Sequence, residues 1–167
     1  MGERVSAWIT IGGEITDPGA FEKLATAMFD ERVSPEYGEP LSLENARELI
    51  KSASSAKETL RLIGHNVNWG EFRRVQQVCQ ELRLPYAHGW SGAGSFDAGC
   101  ELWTHDGAVA TFTTDGEDTP VLTLDEVKKI VEAENVGERL NEIYQAMLLA
   151  RGTALPAIHL PDAGQAA

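Results

Sequence analysis

Apolar residues recur three and four positions apart in several segments of this chain, which is the spacing of an amphipathic helix. Two of these segments carry Phe21, Leu24, Ala25 and Met28, and Phe72, Val75, Cys79 and Leu82. A closing helix is predicted over residues 136–149, with an inward-facing set of Val136, Leu140, Ile143, Tyr144, Met147 and Leu148. The pattern therefore predicts helices in both halves of the chain.

Polar residues in front of such segments predict where helices begin. Asp17 or Thr16 is the predicted cap of the first helix. Pro18 suits the first turn because its missing N–H has no partner to lose there. Asn68 is the predicted cap of the second helix. Ser42 and Thr123 each follow a nearby proline and precede an early acid, which is a further pattern of capped helices.

Two strand–helix units resemble each other, which predicts a weak internal duplication. Residues 11–21 align with residues 63–72, with one gap, as a strand, a polar turn and the opening of a helix. Residues 42–50 align with residues 123–131 in the type of nearly every position. Chance resemblance is the alternative, because strand–helix units share caps and periodicity in any case.

The second half carries additional residues that alternate with the two-residue period of strands. Phe96, Ala98, Cys100 and Leu102 alternate there with Asp97, Gly99, Glu101 and Trp103. The Asp106-Gly107 pair that follows is typical of a hairpin turn, and residues 108–113 return from it as another strand. The pattern predicts a β-meander inserted into the second half.

Together these elements predict an α+β fold, with a mixed or antiparallel sheet and helices packed on one side of it. One domain would span residues 1–151, with related halves at about 5–56 and 57–134 before the closing helix. Residues 152–167 are rich in Ala, Pro and Gly and are predicted to be a flexible tail.

The composition adds a strong negative charge to this fold. The chain has 167 residues, with 26 acids against 14 Lys and Arg and a formal net charge of −12. This balance disfavours binding to the nucleic-acid backbone or to an anionic membrane, since both need cationic patches. Residues 84–126 hold eight acids and no Lys or Arg. A solvated sheet face explains this segment, and so does a surface that binds a basic partner.

The N-terminus and the cysteines indicate a soluble, cytoplasmic chain. The first residues lack the basic and apolar regions of a secretory signal, and no apolar run is long enough to cross a membrane. Cys79 and Cys100 are too few for a disulfide framework. No cofactor is predicted, and the sequence does not predict the oligomeric state.

The richest group of chemically capable side chains lies in the predicted meander. His88 could meet Asp97 or Glu101 across neighbouring strands, and a histidine–carboxylate pair can act as general acid and base. Ser91 or Cys100 would then lie nearby as a nucleophile. A structural role is the simpler interpretation, because Cys100 alternates in phase with the core positions.

Patterns of metal ligands and of tryptophans indicate a functional site less strongly than the histidine–carboxylate group does. Cys79, His88, Cys100 and His105 lack the paired spacing of a zinc site, so no metal is predicted. Trp8 and Trp69 are expected in the core or packed at a helix start. Trp103 shares a strand face with Asp97 and Glu101, which would form a recognition patch if that face is open.

The leading hypothesis is a non-enzymatic interaction protein whose surface includes Asp97, Glu101, Trp103, Asp106, Asp115, Glu117 and Asp118. In its sharpest form it is an inhibitor that presents negative charge to a basic nucleic-acid-binding partner, as phage- and plasmid-borne antagonists do. One alternative is a small hydrolase or transferase that uses His88 with Asp97 or Glu101. Another is a small-ligand sensor with a pocket where the Gly12-Gly13 and Gly64-His65 turns meet.

Overall fold

A six-stranded antiparallel sheet forms the centre of the fold in a computed structural model that describes residues 3–36, 38–94 and 96–161. Its strands are β1 (Arg4–Ile11), β3 (Leu60–Asn68), β4 (Tyr86–Trp90), β5 (Gly99–Trp103), β6 (Val109–Thr114) and β7 (Pro120–Val121), in the spatial order β3-β1-β4-β5-β6-β7. A separate parallel pair joins β2 (Gly13–Glu14) to β8 (Ile158–His159). The predicted α+β class is confirmed. The strands β4, β5 and β6 form the predicted meander, and β7 adds a short strand that the sequence pattern did not predict.

Helices cover both faces of this sheet, which corrects the expectation that they lie on one side. On the first face, here called the helical face, pack α1 (Pro18–Asp30), α2 (Leu43–Ala56) and α3 (Arg73–Glu81). On the opposite face, the α5 face, packs α5 (Val136–Ala150), with α4 (Leu124–Val131) against it. Both faces need a cover because β1 is buried on both sides, with Ile9 in one core and Trp8 in the other.

The two cores differ in size and in what they join. The larger core, on the helical face, fixes β3, β1 and β4 under three helices and includes Ile9, Ile11, Leu24, Met28, Ile50, Leu62, Phe72 and Tyr86. The smaller core joins the meander to α5 and comprises Trp8, Ala87, Cys100, Leu102, Phe112, Ala150 and Leu155. The meander is therefore attached to the rest of the fold through both layers.

Local capping signals predicted most of the helix starts. The side chains of Asp17, Ser42 and Thr123 accept hydrogen bonds from backbone N–H groups of the first helical turn, as predicted. The prediction for Asn68 is wrong, because Asn68 ends β3 and α3 begins at Arg73 without a side-chain cap.

The predicted internal duplication is not confirmed. Gly64 and His65 lie inside β3 instead of in a turn after a strand. The aligned helices α2 and α4 also pack in different layers, α2 with α1 and α4 with α5. Helix caps are local signals, so two unrelated helices can share them wherever they pack.

The closing helix begins at Val136 as predicted, and its predicted inward side is buried only in part. Ile143 and Met147 pack inward as predicted, but other members of that set do not. The residues that pack on the α5-face core are Ile143, Ala146, Met147, Leu149 and Ala150, whereas Val136, Leu140 and Tyr144 are exposed. Apolar residues lie on two sides of this helix, so its periodicity does not decide which side faces the sheet.

The chain after the closing helix is partly fixed, which corrects the prediction of a flexible tail. Leu155 and Ile158 are buried, and β8 pairs with β2. Residues 162–167 of the predicted tail lie outside the described residues.

Candidate functional site

The acids of the predicted interaction surface lie at opposite ends of the meander. Asp106 lies in the β5–β6 hairpin, whereas Asp97 precedes β5 and so lies at the other end. The loop after β6 joins Asp97 there, since the N–H of Thr114 donates to the carbonyl of Ala98 at 3.2 Å. We define the acidic rim as the four exposed residues of this end, Asp97, Asp115, Glu117 and Asp118. The single surface expected from the sequence is thus corrected to this smaller group.

Trp103 does not belong to an exposed patch. Its side chain is 9% exposed and lies in the core of the helical face. Its indole stacks on Tyr86, with ring centroids 5.8 Å apart and an interplanar angle of 11°. The alternation correctly places Trp103 on the same face as Glu101, but the helical layer covers that face at Trp103.

Glu101 faces a cleft where the helical layer ends. In the β4–β5 ladder Glu101 lies directly opposite His88. The cleft has a volume of about 160 Å³ and is lined by Trp69, Glu71, Gln76, His88, Trp90 and Glu101. On the β6 side of Glu101, Thr111 and Thr113 of the same face are exposed. The cleft is therefore open to solvent beside a layer of buried side chains.

A tight turn between β3 and α3 forms one wall of the cleft. Trp69 and Gly70 have φ values of 56° and 70°, and the N–H of Glu71 donates to the carbonyl of Asn68 across them at 3.2 Å. This is the geometry of a type I′ turn, which favours Asn-Gly and is strained with a bulky residue in first place. A Cβ at Gly70 would lie 2.6 Å from that of Trp90, so glycine is required.

Trp69 and Glu71 were not identified from the sequence as site residues. Trp69 was expected to be packed, but 44% of its surface is exposed and its ring lies 5.8 Å from that of Phe96. The sequence does show a tryptophan before the glycine of a predicted turn. That pattern predicts a binding site only when the opposite wall is known, and β4, a strand distant in sequence, supplies that wall.

His88 is buried beneath the cleft and is held neutral. Its Nε2 donates to the carbonyl of Gly70 at 2.5 Å, and its Nδ1 lies 3.5 Å from the amide nitrogen of Gln76. Burial lowers the pKa of His88, while the Gly70 hydrogen bond and the charge of Glu71 oppose that shift. Because both ring nitrogens have partners within the fold, His88 ties β4 to the turn before α3 and presents no free base.

The predicted catalytic group is only partly assembled. His88 and Glu101 share the helical face, but Asp97 lies in the loop between β4 and β5. The indole N–H of Trp90 donates to the backbone carbonyl of Asp97 at 3.0 Å, and the side chain of Asp97 is exposed. Asp97 therefore belongs to the acidic rim, is not among the residues that line the cleft, and does not orient His88.

The candidate nucleophiles and zinc ligands are also dispersed. Cys100 lies in the core of the α5 face, across the sheet from His88, and burial raises its pKa to about 11. Burial also raises the pKa of Cys79, which lies in the other core. The hydroxyl of Ser91 donates to the carbonyl of Ser6 at 3.1 Å. Neither thiol is therefore poised to react.

Two carboxylates, those of Glu101 and Glu71, line the cleft. Burial raises the pKa of Glu101 and so does the nearby charge of Glu71, while a hydrogen bond from the Tyr86 hydroxyl opposes the rise. Glu71 accepts a hydrogen bond from Nε of Arg73 at 2.6 Å. Within the described residues Glu101 forms no ion pair.

Ion pairs are unevenly distributed over the described part of the chain. Five lie within residues 22–81: Lys23–Glu81, Arg47–Glu22, Lys51–Glu48, Arg73–Glu71 and Arg74–Asp30. Two more lie in the C-terminal helical region, Lys128–Glu132 and Arg139–Glu142. None involves a described residue between 84 and 126. The described acids of the meander and of the loop after it thus form no ion pair, although the charge of Arg151 acts on Asp115.

The two helices near the α5 face each expose a row of large apolar side chains, and the two rows together are called the apolar stripe. The apolar stripe consists of Leu124, Val127 and Val131 of α4 and Val136, Leu140 and Tyr144 of α5, which are 41–87% exposed. On each helix these residues recur three or four positions apart and so share one side. Large exposed apolar groups on neighbouring helices are typical of interaction surfaces.

A larger cavity lies on the other side of Glu71 from the cleft, since Glu71 lines both. The cavity measures about 490 Å³ and lies between β3 and a segment that contributes Ser34 and Pro40, with Arg4, Arg32 and Arg73 in its lining. Gly64 and His65 also line it. Gly12 and Gly13 follow the far end of β1, where Ile11 pairs with Leu60. The two glycine pairs that the sensor hypothesis brings together therefore lie apart along β1.

Comparisons with known proteins leave the function to be argued from this geometry. No protein-family model matches the chain, and no curated protein or solved structure matches it. In the described part of the chain, no helix combines the length and hydrophobicity needed to cross a membrane. Among the same residues, no group of three or more His, Cys, Asp or Glu side chains is placed to hold a metal ion.

Proposed function

We propose that this chain is a non-enzymatic binding protein for a partner with a basic surface. In its sharpest form it is a cytoplasmic inhibitor that occupies the nucleic-acid-binding surface of a partner enzyme. The observation that carries the proposal is the acidic rim, four exposed acids at one end of the meander with no ion-pair partner among the described residues.

Electrostatics supports a role of the rim in encounter and specificity. Acids without internal cations leave a negative potential in the solvent, which attracts a positively charged surface and accelerates association. Exposed charges are screened over about 8 Å at physiological ionic strength, so such binding weakens as salt rises. A protein that uses the rim in this way competes with the phosphate groups of a nucleic acid for the same cations.

The apolar stripe supports the same proposal through the free energy of burying apolar surface, which is separate from the electrostatic attraction of the rim. Stable complexes bury about 800 Å² on each partner, and apolar burial supplies much of their free energy. Four carboxylates alone cannot provide that area. Six exposed apolar side chains on α4 and α5 offer a second surface through which a partner can gain affinity.

The hydrolase or transferase alternative receives less support from the site. His88 has partners at both ring nitrogens, and Cys100 lies on the opposite side of the sheet. A general base needs a free lone pair that can reach the substrate. No observation at the site therefore favours catalysis over binding.

The proposal is tested by capture from lysate of the cells that make the protein, at about 50 and 300 mM salt. The bait is compared with a variant that carries Asp97→Asn, Glu117→Gln and Asp118→Asn. Asp115 is left intact because its carboxylate accepts the N–H groups of Glu117 and Thr119, both at 2.9 Å, and holds the loop. A matched control neutralises three exposed acids elsewhere, Glu14, Glu58 and Glu134.

We expect the unmodified bait to capture a basic nucleic-acid-binding protein at low salt and to lose most of it at high salt. The rim variant should capture about tenfold less of this protein, while the control variant should capture it normally. Capture that is indifferent to salt, or equal loss in both variants, would contradict the assignment of the rim as the recognition surface.

A further inference from the structure

We propose that the cleft lined by Trp69, Glu71, Trp90 and Glu101 binds one arginine side chain of the basic partner. This inference rests on the proposed function and deepens it, because it assigns a specific residue type to a specific pocket. The cleft has a volume of about 160 Å³, which suits one planar guanidinium group and part of its apolar stem.

The lining supplies the two kinds of contact that a guanidinium group forms. Two indoles, those of Trp69 and Trp90, lie in the lining and can stack against a planar cation. The carboxylates of Glu71 and Glu101 lie in the same lining and can accept its N–H groups. Gln76 adds a neutral amide group. Aromatic rings and carboxylates are thus combined in one small space.

The charge balance of the cleft also favours a cation. Glu101 is partly buried, lies near the like charge of Glu71 and forms no ion pair within the described residues. The raised pKa of Glu101 reflects the unfavourable surroundings of its ionised form. A bound cation would remove part of this electrostatic cost, whereas a neutral ligand would not.

Arginine fits this lining better than a metal ion or a lysine. Two carboxylates are too few to enclose a divalent ion, and no metal-binding group is found among the described residues. Lysine offers a compact point charge, whereas guanidinium is planar and presents five donors. Glu71 already accepts a guanidinium N–H from Arg73, which lines the larger cavity instead of this cleft.

The cleft adjoins the acidic rim. The indole N–H of Trp90, one wall of the cleft, donates to the backbone carbonyl of Asp97, a rim residue. Trp69, the other wall, lies beside Phe96, the residue before Asp97. A basic segment guided by the rim would therefore reach the cleft directly, with the rim supplying attraction and the cleft supplying selectivity for arginine.

The test uses two small probes that differ in charge. N-acetyl-arginine amide carries the guanidinium group, and N-acetyl-citrulline amide replaces it by a neutral urea of similar shape. Each is titrated into the full chain while the four indole N–H signals are followed by NMR. We expect the arginine probe to shift the signals of Trp69 and Trp90 with a dissociation constant of about 1–10 mM. The citrulline probe should bind at least about fivefold more weakly.

Two variants and one control identify the groups responsible. Glu101→Gln should weaken binding of the arginine probe at least about fivefold, because the isosteric amide lacks the charge. Trp69→Asn should weaken it as well, while the Asn-Gly pair suits the type I′ turn and preserves folding. Asp106→Asn makes the same charge change at the far end of the meander and should leave binding unchanged.

Equal binding of the two probes, or unchanged affinity in both cleft variants, would overturn the proposal. The rim variant of the capture experiment keeps all four cleft residues, so the two proposals can fail separately. Salt-sensitive capture without arginine binding would overturn the cleft inference alone. Arginine binding without rim-dependent capture would overturn the proposed function and leave the cleft as a cation site.

Discussion

The helical layer and the meander use their charged residues in opposite ways. Within residues 22–81, five ion pairs connect acids to cations of the same layer. In the meander and the loop after it, no described acid takes part in an ion pair. Exposed pairs contribute little to stability, but they do neutralise a surface. The difference teaches that the helical layer neutralises several of its own acids, whereas the described acids of the meander and of the loop after it form no ion pair.

The two regions also differ in how completely they are covered. β1 and β4 are enclosed by helices on the helical face, whereas the β6 side chains of that face are exposed. The cleft lies at this boundary and takes walls from both regions, Trp69 from the helical side and Trp90 from the meander. A site at such a boundary combines a rigid support with access to solvent.

Truncating one core aromatic in each region is the strongest test of this comparison. Phe72 is fully buried in the helical-face core, so Phe72→Ala should lower the free energy of unfolding by about 4 kcal/mol. Phe112 is 8% exposed in the α5-face core, so Phe112→Ala should lower it by about 3 kcal/mol. Chemical denaturation followed by circular dichroism measures both effects.

Because one sheet runs through both regions, each variant should unfold in a single transition. A second transition in Phe112→Ala, with the helical signal retained at its first step, would mean that the meander folds separately. The comparison would then describe two folding units instead of one.

The two buried cysteines report on local opening in each region. Cys79 lies in the helical-face core and Cys100 in the α5-face core, and burial raises the pKa of both thiols. Alkylation of the native protein at about pH 8 should therefore be slow at both positions. We expect Cys100 to react about tenfold faster, since displacement of α5 alone can expose it. Peptide mass spectrometry measures the two rates, and faster labelling of Cys79 would reverse the expected order.

The smallest expected effect concerns Glu101 itself. Burial raises its folded-state pKa above the usual value of 4.5, so the ionised form is destabilised in the folded state. Protonated Glu101 therefore contributes to the free energy of unfolding below pH 4.5. This contribution is lost as pH rises through the pKa that Glu101 has in the folded state. Glu101→Gln should therefore be more stable than the unmodified protein at pH 7, by less than about 1 kcal/mol because solvent screens this half-exposed group.

Thermal unfolding across a pH series measures this effect. The advantage of Glu101→Gln should disappear at acidic pH, where both side chains are neutral. If Glu101→Gln is instead less stable than the unmodified protein at pH 7, Glu101 supports the fold. That result would contradict the proposal that Glu101 serves binding and costs stability. Glu134→Gln serves as the control for a charge change at an exposed position.

Local patterns predicted much of the fold. Asp17, Ser42 and Thr123 mark helix starts because a cap is a contact between residues close in sequence. The alternation around Cys100 and Glu101 placed them on opposite sides of a strand for the same reason. Asn68 failed as a cap because pairing with β1 extends β3 to that residue.

The candidate site was less predictable because its parts are distant in sequence. The alternation put Trp103 beside Glu101, but the helical layer buries one and leaves the other facing the cleft. Trp69 and Glu71 could not be joined to Trp90 without knowing that α3 crosses from β3 to β4, with β1 between these strands. The apolar side of α5 that faces solvent was likewise set by packing, since both sides satisfy the helical period.

The sequence by itself determined the α+β class, the meander, most helix starts and the concentration of acids in residues 84–126. These properties depend on neighbouring residues, whose periodicity and hydrogen bonds act over one or two turns of chain. Only the tertiary structure decided which acids share an end, which tryptophans are exposed and where the cleft lies. Those properties depend on strand order and on which face each helix covers, and both are fixed by burial between segments far apart in sequence.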